Sequence, residues 1–307
     1  MIFNLNGSFL YYNDADYYYN NIVSLYYDNI VSLIKNILIN NNDIKVNISL
    51  SNNYNFNNSN KTLHININYE HTLVKNGGRS VPHDTPFGEV HYNNNEKYLV
   101  RIDNYDNLNK SDIIIDYSNP NIHNVKTCSR YDSFTKKHIY ISSSVYEPYF
   151  IKENRNIITL TTFINTNEER RRTLLDKIVN EKLEHININN CFEKDSLQNI
   201  LKNTKIIINI HQTLHHHTFE ELRVLPALEC GVIVISEKSP LTELIPYKDL
   251  IIWENYEDII EKTKEVINNY DFFHKKIFSS ENINLLVSLK KANYHVLENT
   301  ILQKLAF

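Results

Sequence analysis

The sequence predicts an α/β fold built on parallel sheet, and three observations predict it. From Ile157 onward, apolar runs of strand length alternate with stretches of helical period, the pattern of a parallel sheet covered by helices on both faces. The chain has 307 residues, enough for two domains that each bury a core. Its hydrophobic fraction of 42% beside 22% charged residues is that of a globular protein rather than a disordered one.

Composition removes several functional classes. A net charge of -4 gives no electrostatic case for nucleic acid or an anionic membrane as partner. No apolar run reaches the roughly eighteen residues of a membrane span, and Met1 to Asp14 lacks the basic start and apolar core of a signal peptide. No membrane span and a cytoplasmic location are therefore expected. Cys128, Cys191 and Cys230 are scattered and odd in number, so they form neither a disulfide framework nor a metal cluster. The five glycines include no G-x-G-x-x-G and no G-x-x-x-x-G-K-S/T loop, which argues against a dehydrogenase or a P-loop nucleotidase.

Taken in order, Ile2 to Phe9 reads as a first strand, with Gly7 permitting a turn. Asp16 to Ile39 carries Tyr26, Ile30, Leu33, Ile34 and Ile37 at helical spacing, so its tyrosines belong to packing rather than to stacking platforms. Ile44 to Leu50 and Leu63 to Tyr69 alternate as strands around the Asn-rich turn Asn52 to Asn60. Val74 to Tyr92 holds three of the five glycines with Arg79, His83, Asp84 and Glu89, either as an ordinary surface loop or as backbone that must approach a ligand. Tyr98 to Ile102, Ile113 to Tyr117 and Ile139 to Ser142 read as buried strands, with a loop and short helix at Asn119 to Cys128. Ser143 to Asn154, with Pro148, reads as a linker and hinge. Strands then fall at Ile157 to Phe163 and His185 to Ile188, and helices at Glu168 to Leu183 and Lys194 to Asn203. After the stretch described next, a strand at Leu250 to Trp253, a helix at Tyr256 to Tyr270 and a helical tail complete the chain.

Lys205 to Lys238 organises the second half: a buried strand (Ile206 to Ile210), a histidine-rich loop, a helix, Gly231 at a C-cap and a second buried strand (Val232 to Ile235). Thr218 and Glu221 have the spacing of a capping box, and Pro226 should kink the helix they open. In open parallel sheets ligands sit outside the carboxyl ends of the strands, so the loop His211 to His217 should face a ligand. The loop offers hydrogen-bond donors to phosphate and sugar oxygens, unless its histidines merely face solvent. His211 and His215 stand four apart like zinc ligands, but without H-E-x-x-H no metal is expected.

The phrase EELRVLPALECGVIVISE, with Ala227, Cys230 and Gly231 closing the helix and Glu243 ending the next loop, resembles the donor-binding half of GT-B glycosyltransferases. It is similar to predicted glycosyltransferases of large DNA viruses and bacteria, from roughly Asn156 to Asp271. The resemblance implies two Rossmann-like domains facing a cleft. It implies an acceptor-side domain at 1–150, a nucleotide-sugar domain at 151–285 and a C-terminal helix at 286–307 returning to the first domain. Many such enzymes hold the nucleotide ribose with an acid five residues before the small-residue-glycine turn. Here that position is Pro226, and the ribose role does not pass to Glu229, although Glu221 and Glu229 stand eight apart.

The implied function is transfer of a sugar, hexosyl or related, from a nucleotide-sugar such as a UDP- or GDP-sugar to a glycan or protein acceptor. No cofactor is implied, because arginine and helix N–H groups can stabilise a leaving diphosphate. The donor-binding candidates are Thr162, Asn165, Arg171, Arg172, His211, Gln212, Thr213, His216, His217, Thr218 and Arg223. Arg171 and Arg172 come from the run NTNEERRR, where the resemblance places the diphosphate, though such a run also suits a solvated helix face. Glu221 and Glu220 are the acids placed to orient the donor sugar, and Glu220 with Arg223 also has the spacing of a surface ion pair. His83 and Asp84 are candidates for a base at the acceptor hydroxyl, or for caps of a turn. Two other readings stay open: an inactive sugar- or nucleotide-binding module, suggested by Pro226, and a sugar-nucleotide epimerase.

Overall fold

A computed structural model describes residues 2–5, 8–12, 22–41, 47–50, 62–68, 73–75, 87–92, 96–101, 105–215 and 217–305. The chain divides into two compact units, Met1–Tyr19, Val23–Ser142 and Lys290–Phe307 in one, Asn20–Ile22 and Ser143–Leu289 in the other.

The first unit carries β1 (Ile2–Leu5), β2 (Ser8–Tyr12), α1 (Ile22–Asn40), β3 (Asn47–Leu50) and β4 (Thr62–Asn68). Then follow β5 (Leu73–Lys75), β6 (Phe87–Tyr92), β7 (Glu96–Arg101), α2 (Tyr105–Lys110), β8 (Ile113–Asp116), α3 (Asn119–Thr127) and β9 (His138–Tyr140). Its main sheet has the order β1-β2-β3-β4-β8-β9, parallel from β2 to β9 with β1 antiparallel at one edge. Ile2 to Phe9, expected to be strand with a turn permitted at Gly7, falls in the antiparallel pair β1 and β2, in which Leu5 faces Ser8. The Tyr98 to Ile102 run lies mostly in β7, the middle of a three-stranded antiparallel sheet, where Tyr98 and Val100 are buried.

The helical stripe of α1 is buried as its spacing requires, through Tyr26, Ile30, Ile34, Ile37 and Leu38. Tyr26 packs edge-on against Tyr117 and donates its hydroxyl to the Ile141 carbonyl at 2.6 Å, so it is a core residue with a satisfied polar tip. At the carboxyl end of β8, fully buried Asp116 accepts from Asn68 Nδ2 (2.7 Å), the Ser118 N–H (2.9 Å) and Asn121 Nδ2 (3.2 Å), and lies 3.0 Å from His138 Nε2. Asn293 on the last helix closes a pair of hydrogen bonds with the Ser142 backbone, at 2.8 and 2.9 Å.

The second unit contains β10 (Ile157–Thr161), α4 (Glu169–Asn180), β11 (His185–Asn187), α5 (Lys194–Lys202), β12 (Thr204–Asn209), α6 (Glu221–Glu229), β13 (Ile233–Glu237) and β14 (Ile251–Glu254). Helices α7 (Ile259–Asn268) and α8 (Tyr270–Ile277) follow, and α9 (Ser280–Leu305) begins in this unit and ends in the first. Its sheet is wholly parallel in the order β11-β10-β12-β13-β14. This is the Rossmann-like arrangement that the alternating pattern predicts. The central strands carry Ile206, Ile207, Ile208, Ile233, Val234 and Ile235, all buried, as strands covered on both faces must be. Among the described residues no helix is long and apolar enough to cross a membrane.

Ser143 to Asn154, read as a linker, starts where the second unit begins, and its first half is held inside that unit: Ser143 Oγ donates to the Glu221 carbonyl at 2.8 Å, and the Val145 and Tyr146 N–H groups reach the Glu229 carboxylate at 3.0 and 2.9 Å. Thr218 and Glu221 form no capping box, since the N-cap of α6 is Glu220 and the Glu221 carboxylate turns inward to the Tyr247 hydroxyl at 2.8 Å. Pro226, where a kink is expected, lies inside helix α6 and is buried.

Candidate functional site

The carboxyl ends of β10, β12 and β13 bring one polar cluster together. Strand β10 delivers Thr162, Phe163 and the turn into α4. There the Asn165 side chain accepts from the Asn167 N–H (3.1 Å) and donates to Glu168 (3.2 Å), which shapes the approach to the arginine run. The three arginines then diverge because successive helix positions point about 100° apart. Arg170 reaches over β13, donating to both Glu237 oxygens at 2.6 and 3.0 Å and lying 4.2 Å over the Tyr256 ring. Arg171 shares the buried stripe of Leu174 and Ile178, is 3% exposed and lies 4.9 Å over the Phe163 ring. Arg172 faces solvent.

Strand β12 ends at Asn209, whose Oδ1 faces Arg223 Nη1 at 3.4 Å across from α6. His211 follows, buried, with its N–H on Glu237 (2.9 Å), its Nε2 on Ser239 (2.9 Å) and its ring stacked on His217 at 5.3 Å. Burial pushes the His211 imidazole down to about 4, against the pull of Glu237, so it is neutral near pH 7. Thr213 accepts from the His215 N–H, Gln212 is half-buried and Thr218 is buried. His217 Nε2 lies 2.9 Å from the Leu214 carbonyl.

Two cations stand together inside this cluster. Burial and the proximity of Arg223 push Arg171 down to about 10, while Glu220 and Glu168 pull it back up. Arg223 in turn lies 3.8 Å from the Glu220 carboxylate. Arg171 Nε and Thr162 Oγ1 are buried without a hydrogen-bond partner, as is His215 Nδ1. A buried guanidinium with an unused N–H calls for an acceptor, and an anion supplies one. The start of α6 adds the positive end of its dipole, with no side chain capping it.

The two glutamates of α6 are held elsewhere. Glu221 is 1% exposed and faces Tyr247, and Glu229 anchors residues 144–146 from the far end of the helix. Glu220 is the acid that shares space with Arg171, Arg223 and His211. The structure thus gathers Thr162, Asn165, Arg171, His211, Gln212, Thr213, His217, Thr218, Glu220 and Arg223 on the loops and first helical turns at the carboxyl edge of the sheet, and leaves Arg172 facing solvent. His83, Asp84, Arg79 and His216 lie outside the described residues. Arg170, Glu237 and Asn209 are members that the sequence reading did not single out. Glu237 ends the V-I-V-I-S-E run, so its place at the carboxyl end of a buried strand was a usable signal. Among the described residues no group of three or more His, Cys, Asp or Glu is placed to hold a metal ion.

The uncharacterized protein R358 of Acanthamoeba polyphaga mimivirus is 30% identical to this chain over 213 residues, which are 64% of this chain and 71% of the viral protein. This chain belongs to the family of that viral protein. No family model matches the sequence. Among solved structures, the crystal structure of TarM superposes with a TM-score of 0.49 at 10% identity, over 83% of this chain and 54% of TarM, so the chain spans about half the length of that structure.

Proposed function

We propose that this protein is a glycosyltransferase that binds a nucleotide-sugar on its second unit and passes the sugar to a glycan or protein acceptor. One observation carries the reading: the paired, buried Arg171 and Arg223 at the carboxyl edge of a parallel sheet, with Arg171 Nε and Thr162 Oγ1 still needing partners. A diphosphate matches that need in charge and in acceptor geometry. In this reading Arg171, Arg223 and the α6 N-terminus take the diphosphate and stabilise the charge that develops on it as the sugar leaves. Thr162 and Thr213 supply hydroxyls, and Glu220, which lies beside Arg223, rather than Glu221, whose carboxylate accepts from Tyr247, is the acid that meets the sugar hydroxyls. His83 and Asp84 remain the proposed source of an acceptor-side base.

A thermal-shift screen against nucleoside diphosphates and their sugars tests the reading, since a ligand held by the native state alone raises stability by mass action. At least one nucleoside diphosphate should raise the midpoint in the native protein and not in Arg171→Ala. Slow hydrolysis of the matching nucleotide-sugar then gives an activity assay that needs no acceptor. Binding without any hydrolysis would favour an inactive binding module, and no binding at all would remove the donor site.

A further inference from the structure

We propose that Glu237 sets the phosphate count of the ligand: by locking Arg170 it withholds a third cation, so that the site takes a nucleoside diphosphate in preference to the triphosphate. The inference rests on the donor-site reading above. Three arginines meet at the carboxyl edge of the sheet, Arg170 and Arg171 on the first turn of α4 and Arg223 on that of α6. Arg170 is committed to its neighbours. Its Nη1 and Nη2 donate to the two Glu237 oxygens at 3.0 and 2.6 Å, and Nη1 also reaches the His211 carbonyl at 3.2 Å. The guanidinium lies 4.2 Å over the Tyr256 ring, while the Tyr256 hydroxyl donates to the Arg170 carbonyl at 2.7 Å. The paired side chains are only 11% and 14% exposed, so the carboxylate cancels the charge and fixes the direction of the fork.

The sheet places Glu237 for this work. It is the last residue of β13, and its Oε2 also accepts the His211 N–H at 2.9 Å from the end of the neighbouring strand β12. The carboxylate is thus held at two adjacent strand ends before any ligand arrives. A nucleoside triphosphate shares the base, the ribose and the first two phosphates of a nucleotide-sugar, so the third phosphate is what separates them. Discrimination of this kind needs an element that disfavours the wrong ligand. A third phosphate finds Arg170 already engaged, and the Glu237 carboxylate beside it repels the added charge, the more so away from bulk water. Without that carboxylate, Arg170, one helix position from Arg171, would offer its planar fork to phosphate oxygens.

Titration calorimetry without divalent cations tests this with UDP and UTP, GDP and GTP, and inorganic pyrophosphate and tripolyphosphate. The proteins are the native chain, Glu237→Gln, Glu237→Gln combined with Arg170→Ala, and Glu169→Gln, which removes an exposed acid from the same helix turn. The native protein should bind a diphosphate more tightly than its triphosphate. Glu237→Gln should shift that ratio toward the triphosphate by about fivefold or more, while the combined variant and Glu169→Gln should stay within about twofold of the native ratio. A purely structural role would weaken both members of a pair alike, so an unchanged ratio in Glu237→Gln overturns the proposal. A native preference for triphosphate overturns it too, as does an equal shift in Glu169→Gln or one that survives Arg170→Ala. In these cases diphosphate binding by the native protein leaves the donor site standing. If no probe binds the native protein or Glu237→Gln, the donor-site reading fails and the inference with it. Glu237→Ala is read in the same way should the glutamine variant not fold.

Discussion

Arg155 and Gly231 can be neighbours because residue 231 has no side chain: a Cβ there would lie 2.6 Å from Arg155 Nη2 and 2.8 Å from the Tyr149 carbonyl oxygen. The guanidinium fills that space to donate to four carbonyls, those of Ile151 (2.9 Å), Leu201 (3.1 Å), Thr204 (2.7 Å) and Cys230 (2.7 Å). It thereby fastens the ends of α5 and α6 to the start of β12. Gly231 is also at a φ of +71°, where L side chains are strained. Gly231→Ala should lower unfolding free energy by about 3 kcal/mol or more, the sum of left-handed strain and a clash with little room to relax. Guanidinium melts check it, and a loss below about 1 kcal/mol would mean that the guanidinium can move aside.

Glu229 should behave as a structural residue. Its buried carboxylate accepts from Ser144 Oγ and from the Val145 and Tyr146 N–H groups. Glu229→Ala strands those donors and should cost about 2 to 4 kcal/mol of stability. Nucleoside diphosphate affinity, measured where the variant is folded, should stay within twofold of the native value.

Arg171 and Arg172 should separate cleanly. Arg171→Ala removes a buried guanidinium from the cluster and should weaken nucleoside diphosphate binding by about 1.5 to 3 kcal/mol, the range for hydrogen bonds to charged groups. Arg172 faces solvent, and Arg172→Ala should change affinity by less than about 0.5 kcal/mol. Equal losses in titration calorimetry would place both side chains at the ligand.

Stability should fall in mild acid. Burial pushes His185, His211 and His274 each down to about 4. Unfolded imidazoles protonate near 6.5, so between those values the unfolded chain binds protons that the folded one refuses. The stabilisation is complete above about pH 6.5 and is lost as pH falls toward 4, by up to about 1.4 kcal/mol per pH unit for each ring. The Glu237 carboxylate, held below its usual range by His211 and Arg170 against the cost of burial, loses its contribution at lower pH still. Denaturant melts at pH 7.5, 6 and 5 should show the decline, and His211→Asn should reduce its slope by about one proton.

Much of the second unit was legible because its cues are periodic. Ile206 to Ile208 and Ile233 to Ile235 read as buried strands and are, and Gly231 read as a C-cap and has positive φ. The Leu174 and Ile178 stripe also held the answer to which arginine turns inward, since Arg171 stands three and seven residues before them. What pattern could not supply was the choice of partner. Thr218 and Glu221 have cap spacing, yet the Tyr247 hydroxyl, 26 residues on, claims the carboxylate. Glu237 gathers Arg170 and His211 from segments 67 and 26 residues away, a meeting that only the assembled sheet creates. In the first unit, Gly7 was the trace of the reversal between β1 and β2: Asn-Gly between apolar runs is a hairpin signal, and Leu5 pairs with Ser8 on either side of it.

Asp116 ties its neighbourhood into one cooperative element. Its carboxylate is satisfied by β4 through Asn68, by α3 through Asn121 and the Ser118 N–H, and by β9 through His138. Detaching any one of these segments would leave a buried charge short of donors, so opening one favours opening all. Backbone amides of β4, β8 and β9 should therefore exchange with solvent as a single group, through one shared opening, instead of fraying strand by strand.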